Sequence, residues 1–516
     1  MAQKLENITL GAPGFFGLNT ELSPVELPPQ FAATADNCVI DSYGRLGARL
    51  GFSTQSDVIT GLGGETVKRL FEWTSGGTDV LFAVGNSKIF RVDTTTTTND
   101  TLTEMTLPSA YTISADNWDF VDFNGEGFFF QAGHAPLLVN TTSNAADDVE
   151  TLDSESSETS PDAPEGNIIM AAFGRLWSAG VSTALNTLYW SDTLIGDGWT
   201  EGAFGSLDLA TVWPNGYDEI QGLATHNGRM IIFGKNSIVV YSGAEDPTTM
   251  TLEDTISGTG CVARDSIQYT GEDVIFCSPT GVRLLSRTIQ EASLPLGSVT
   301  DAVRTQIIDD IGQESTGINS VYSYENNFYL LILEGQSYVY CIDFKKVLED
   351  GTRRVTVWPG APFNCAVRTD GGLLQVGGLP GVGKYSGNQD DGNSYRYQYY
   401  SPTLTFETPG NLKFLKKIRP TMIGAAGASA TISWGYGYSD SFNTQVVTVG
   451  GAGGGAEYGS GEYNIAEFSS PVSVSDDSIN ATGSGKEAKL GVGIDINGSA
   501  FSLQQINVQA LIGRLI

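Results

Sequence analysis

Short apolar stretches alternate with turns rich in Asn, Gly and Asp along most of this chain. Within the stretches the apolar positions recur with a period of two, as in Ile231 and Phe233 and then Ile238 and Val240. "HNGR" at His226–Arg229 and "ENNF" at Glu325–Phe328 are hairpin-type turns between them. One pattern recurs seven times: strand, turn, strand, turn, strand. The units begin at Arg69, Asp116, Asn167, Glu219, Arg264, Ile318 and Cys365. Starts are spaced about 45–54 residues apart, so each linker has room for a fourth strand, and that is the period of a β-propeller blade. A single such sheet cannot bury both faces, and ring closure of several blades supplies the missing core. The pattern therefore predicts an all-β protein with a β-propeller of six or seven blades, in preference to a β-sandwich alone.

Other segments break the rhythm. "TTTTTND" at Thr94–Asp100 is low-complexity and reads as a loop. From Asp147 to Glu165 there are eight acids and no base, the composition of a solvated linker. "SVTDAVRTQIIDDIG" predicts a helix over Ser298–Gly312, with Thr300 as N-cap and Val299, Val303, Ile307 and Ile311 along one face. After about Tyr395 the pattern changes to longer strands around a Pro-Gly turn, with a Gly-rich run before the last strand. The expected organisation has three parts. Residues 1–60 join a platform, residues 61–394 form the propeller body with inserts near 94–110 and 145–166, and residues 395–516 form a β-sandwich-like platform domain with the N-terminal segment. Chain ends that bracket a propeller are often close in space.

Composition narrows the chemistry. The chain has 516 residues, 59 acids against 28 bases and a formal charge of −31. Such a surface is poor at neutralising phosphates, so nucleic-acid binding by counterion release is not expected of the chain as a whole. An acidic wall past which DNA slides without sticking remains compatible. The 63 glycines suit many tight turns. Cys38, Cys261, Cys277, Cys341 and Cys365 form no CxxC pair and read as free buried thiols rather than a zinc site or disulfide framework. "MAQKLENITL" lacks the apolar core of a secretory signal. The longest apolar runs, such as "YLLIL" at Tyr329–Leu333, are strand-sized, so no membrane-spanning segment is expected.

Catalytic and cofactor motifs fail on context. The two histidines, His134 and His226, lie in or beside turns. "GLGG" at Gly61–Gly64 has no following GK[ST], and "GAPGFFG" at Gly11–Gly17 lacks a strand-to-helix setting. "SDTLIGDGWT" at Ser191–Thr200 has the flavour of a sialidase Asp-box, a turn-stabilising element, but the paired carboxylates of a glycosidase cannot be assigned. "SGNQDDGNS" at Ser386–Ser394 carries oxygen ligands without EF-hand spacing, and reads as a polar loop. The expectation is no enzyme, no cofactor and no metal.

The scarce bases then stand out. "VIDSYGRLGARLGF" at Val39–Phe52 holds Arg45 and Arg49, and "NLKFLKKIRP" holds Lys413, Lys416, Lys417 and Arg419. Neither run has a phosphate-loop context. All six residues are candidates for assembly contacts. Arg45 and Arg49 would be bonded to carboxylates or carbonyls where the N-terminal strands meet the C-terminal platform or a neighbouring subunit.

Four stretches, taken in order, resemble the tail nozzle proteins of short-tailed bacteriophages, of the tail tubular protein B and packaged-DNA-stabilisation types. They are "TADNCVIDSYGRLGARLGF", then "AAFGRLWSAGVSTALNTLYWSD" with "IQGLATHNGRMIIFGKNSIVVYSG", then "SLPLGSVTDAVRTQI", and finally "GVGKYSGNQDDGNSYRYQYYSPTL" with the closing "INVQALIGRLI". The resemblance implies a non-enzymatic virion protein, assembled in the host cytoplasm. It implies a homo-hexameric ring below the portal and tail adaptor (the head-to-tail connector), which retains packaged double-stranded DNA and conducts it at ejection without binding it specifically. Tail fibre or spike proteins would attach nearby. The competing readings are a propeller that binds a receptor or carbohydrate and, less favoured, a glycoside hydrolase.

Overall fold

The computed structural model describes residues 5–515 apart from 55–59, 76–77, 94–100, 108–112, 114–116, 140–148, 152–162, 201, 292–297, 315–316, 362, 379–380, 426, 438–440 and 450–471. The threonine-rich run, most of the acidic linker and the Gly-rich run named above lie outside the described residues.

The fourth blade, Ile220–Ser257, shows why the period-two pattern makes a propeller. Its inner hairpin turns at Asn227 and Gly228, with φ of +50° and +72°. Positive φ at both central residues gives the turn a twist that matches the flanking strands. Ile231, Phe233, Ile238 and Val240 then pack on Val274 and Phe276 of the next sheet. The alternate residues Met230, Ile232, Val239 and Tyr241 pack on Trp177, Leu188 and Trp190 of the preceding one. Both faces of the blade are thus buried between neighbours.

Repetition of this scheme gives six four-stranded blades and one three-stranded sheet among the described residues. In chain order they span Arg69–Glu104, Asp119–Thr151, Ile168–Asp208, Ile220–Ser257, Gln268–Leu284, Ile318–Pro359 and Cys365–Tyr385. The fifth is the three-stranded one. The helix Leu285–Glu291 follows its third strand and seats Leu285 against the fifth-sheet core, where the sequence pattern left room for another strand. The stretches expected as inserts contain Thr101–Glu104 and Val149–Thr151, which are the outer strands of the first and second blades. The seventh blade takes its outer strand from the N-terminal chain: Phe52–Thr54 pairs antiparallel with Gly383–Tyr385. This pairing closes the ring with a segment far away in sequence.

The chain ends build a two-layer sandwich beside the propeller. One layer is a seven-stranded sheet in which Asn411–Ala425 pairs along Phe501–Leu515, flanked by Leu5–Leu10, Cys38–Ile40 and Leu46–Ala48. The other layer contains Tyr395–Tyr400, Ala488–Ile496, Ser429–Tyr436 and Phe442–Thr448. Phe15, Tyr397, Tyr399, Leu415, Ile418, Trp434, Val492, Leu503 and Val508 fill the space between them. The second layer does not stop at the sandwich. Through Thr34–Asp36 it joins Arg353–Pro359, the outer strand of the sixth blade, in one eleven-stranded sheet.

The expected helix is present but starts later. A 3-10 turn at Asp301–Val303 precedes the α-helix Arg304–Gln313. Thr300 makes no side-chain cap. Its hydroxyl instead pairs with that of Ser298 at 2.8 Å, which satisfies it locally. Val299, Val303 and Ile307 are buried as the periodicity requires.

Candidate functional site

Arg49 lies at the joint between propeller and sandwich and is only 1% exposed. Its two terminal nitrogens grip Asp390 as a fork, at 2.8 and 2.6 Å, and its Nε donates to Asn37 Oδ1 at 2.8 Å. The guanidinium also lies 4.1 Å from the Tyr395 ring centre. Planar bidentate pairing of this kind is what guanidinium geometry favours over ammonium. Asp390 sits on the loop that links the seventh blade to the first sandwich strand, so the contact ties both bodies to the N-terminal chain. The glycines of "RLGARLGF" serve the same joint. At Gly51 an added Cβ would fall 1.9 Å from the Gln389 carbonyl oxygen, and Gly51 N–H donates to Gly387 O at 2.9 Å. The loop "SGNQDDGNS" is therefore a docking loop for Arg49. The expected carboxylate partner of Arg49 is thus Asp390, in a stretch whose sequence reads only as a polar loop.

The other expected assembly residues divide. Arg45 is 5% exposed and pairs with Asp41 at 2.6 Å, shaping its own hairpin beneath the Tyr43 ring. Lys413 is 0% exposed and donates to the carbonyls of Thr408 and Lys486. Its partners are backbone groups of the same chain, so Arg45, Arg49 and Lys413 are internal ties and present no free charge to a neighbour. Lys416, Lys417 and Arg419 differ. All three are exposed on Asn411–Ala425, where a register shift between Leu415 and Lys417 turns two successive lysines outward. None of the three has an ion-pair partner among the described residues. Lys416 lies 5.9 Å from the Phe414 ring centre.

The propeller axis holds a second cluster, which sequence reasoning did not find. Arg264 pairs with Asp265 at 2.8 Å and lies 3.8 Å from Asp119, and its other nitrogens donate to the carbonyls of Asn167 and Trp118. Arg69 bridges Asp265 and Glu334, at 3.0 and 3.2 Å, and Lys68 also reaches Glu334. Asn319 donates to Glu334 and to the Asn364 carbonyl. Six of the seven blades meet in this lacing. Burial pushes the Asp119 carboxyl up to about 6, against the pull of Arg264. Burial also opposes ionisation of Asp265, but Arg264 and Arg69 outweigh it and leave the carboxyl below its ordinary value. The cavity on the axis has a volume of about 450 Å³. That is room for a small molecule.

The remaining polar motifs make local hydrogen bonds. Asp192, in the Asp-box-like stretch, accepts the N–H groups of Thr193 and Ala203, and these bonds hold its carboxyl below the usual range. Asp218, which no motif flagged, accepts the N–H groups of Glu219, Lys235 and Asn236 and the Ser237 hydroxyl. His226 lies within hydrogen-bond distance of Asn227 at a hairpin turn. All five cysteines are buried and free, and burial pushes each thiol up. Among the described residues no three His, Cys, Asp or Glu side chains gather as a metal ion would need. No described helix is long and apolar enough to cross a membrane.

No protein-family model and no curated protein matches this chain. Solved structures similar to it include the WD40 domain of Neurospora crassa Pan2, at 9% identity and a TM-score of 0.38, covering 66% of this chain and 95% of that one. An extracellular domain from B. thetaiotaomicron aligns at 11% identity and a TM-score of 0.41, covering 83% of this chain and 59% of that one. Hsv2 of Kluyveromyces lactis aligns at 9% identity and a TM-score of 0.29, covering 54% of this chain and 81% of that one. The fold itself is read from the sheets described above: a β-propeller closed by its N-terminal chain and continuous with a terminal sandwich.

Proposed function

We propose that the chain is a structural subunit of a phage tail nozzle, one of six in a ring whose central lumen, between subunits, holds and conducts DNA. The observation that carries this reading is the basic stripe Lys416, Lys417 and Arg419. It is exposed on the outer face of the sandwich and has no ion-pair partner among the described residues, in a chain with 59 acids and 28 bases. A ring with cyclic symmetry needs two different complementary patches on each subunit. A basic stripe set against an acidic neighbour meets that need and steers assembly. Leu5 and Val474, each more than half exposed on strands of the same sheet, add apolar surface to it.

Two further features support the reading. The eleven-stranded sheet and the Arg49 joint couple the propeller to the sandwich, so a ring of sandwiches would fix the propellers around it. Six copies multiply a formal charge of −31, and an acidic lumen repels phosphates instead of holding them. Mass photometry at low salt tests the proposal. The expected species has six times the 54.9 kDa subunit mass, and it dissociates as salt screens the charged contacts. A protein that stays monomeric at every concentration and salt, with or without its tail neighbours, contradicts it.

A further inference from the structure

Arg353 is anomalous among the arginines of this protein. Among the described residues it has no carboxylate within ion-pair distance, although acids outnumber bases about twofold in the chain. Among the described residues its one side-chain hydrogen bond runs from Nη1 to the Phe344 carbonyl at 3.2 Å. Its Nε is buried and has no partner. The guanidinium lies 4.5 Å from the Phe344 ring centre, which fixes the plane of the fork. Burial pulls its pKa below the ordinary arginine value, and the nearby charges of Asp343, Asp273 and Glu272 offset that only in part.

The nearby acids are committed elsewhere. Asp343 is held by Arg354, with Nε at 2.8 Å. Asp273 accepts the N–H groups of Val274 and Ser286, as well as the Ser286 hydroxyl. Glu272 is exposed, at the rim. Arg353 lines a cavity of about 410 Å³ between the fifth sheet and the sixth blade, together with Thr270, Ser286, Tyr322, Asn327 and Phe344. A β-bulge builds this wall. Asp343 pairs with Arg354 and Val347 with Arg353, so Phe344 to Lys346 are left out of the ladder opposite the arginine. Bulges are frequent where a sheet re-aims side chains at a site.

We propose that this cavity binds a small hydroxylated carboxylic acid of the uronic-acid type. Arg353 takes the carboxylate through Nη2, its terminal nitrogen with no partner among the described residues, and the Tyr322 hydroxyl and Asn327 amide take the ligand's hydroxyls, the Thr270 hydroxyl being engaged by the Asp273 backbone. A single negative charge fits the site better than a phosphate dianion, because Glu272 and Asp273 stand at its edge and repel a second charge. The volume lies within the range of small-ligand pockets. The site lies wholly within one chain and does not depend on ring assembly.

Titration calorimetry of the full chain tests this, with D-glucuronate, D-glucose and D-glucose 6-phosphate as probes. Saturable one-to-one binding of glucuronate is expected, with the neutral and phosphorylated sugars at least about tenfold weaker. Arg353→Gln should lose at least about tenfold in affinity, and Arg353→Lys should lose much of the same, since a flexible ammonium lacks the fixed orientation that the Phe344 ring and carbonyl give the guanidinium. Tyr322→Phe removes only a hydroxyl; it should weaken binding several-fold with the melting temperature unchanged. No saturable heat with glucuronate overturns the proposal. So does equal binding of glucose, tighter binding of the phosphate, or full affinity in a folded Arg353→Gln variant.

Discussion

Arg49 and Asp119 show how much a single buried charge decides in this chain. Removing Arg49 would leave Asp390 without its counter-charge at a half-dry joint, a change that typically costs about 3–5 kcal/mol. Arg49→Ala is therefore expected to lower the urea midpoint and the yield of folded protein, with Arg49→Lys intermediate. An unchanged midpoint would remove the joint from this account. Asp119 makes a pH prediction. Its folded pKa, about 6, lies above the ordinary 3.8. The folded state therefore holds the proton more tightly, and the contribution is full below about pH 4 and is lost as pH rises to about 6. Asp119→Asn keeps a neutral side chain at every pH. The stability difference between variant and wild type should thus shift in the variant's favour between pH 4 and pH 6.5, by up to about 3 kcal/mol. A difference that is flat with pH contradicts the assignment. At this scale the sequence was only half legible. Arg49 was recognisable as a residue in need of a partner, but Asp390 lies 341 positions away. The Arg69–Arg264–Asp265 lacing had no local signal, because its members meet only when the ring closes.

Elements were far more legible than pairs, because alternation is local. The hairpin at Asn227–Gly228 and the burial of Ile231 and Phe233 follow from side-chain period and turn chemistry alone. The fifth sheet was harder. "LLSRTIQ" is short and mixed in polarity, and the helix forms where Leu285 can join Phe276 in the core. Thr300 looked like a helix cap, but its hydroxyl had a nearer partner in Ser298. Closure of the ring by Phe52–Thr54 was not foreseen; those residues were read as platform strands, since no local pattern names a strand's partner. Two substitutions test the elements. Gly51→Ala forces the N-terminal strand away from Gln389, at an overpacking cost of about 1–3 kcal/mol, and hydrogen exchange should show faster opening of Phe52–Thr54 and Gly383–Tyr385 than of the fourth blade. Asp218→Ala strips a buried carboxylate from three N–H donors and a hydroxyl, and should cost about 3 kcal/mol in thermal or urea unfolding. Wild-type exchange rates in the first case, or a loss below about 0.5 kcal/mol in the second, would contradict these roles.

On the scale of the whole molecule, one sheet crosses from the sixth blade into the sandwich, and ion pairs lace the blades together at the propeller axis. Charge composition made the shortage of bases visible, and their positions could be read off directly. What could not be read was which bases turn inward, since that depends on the register of Asn411–Ala425 against Phe501–Leu515 and its bulge at Leu415. Lys413 goes to backbone carbonyls, whereas Lys416, Lys417 and Arg419 remain for a partner. Replacing the last three with Glu should leave the melting temperature within a few degrees of wild type, because exposed charges contribute little to folding. The same change should abolish assembly. The central claim is tested most directly by negative-stain imaging of the purified chain at low salt. The account predicts class averages of a six-membered ring with an open central channel, absent in the triple variant. Isolated single propellers in the wild-type preparation, under conditions where the chain is folded and concentrated, would contradict it.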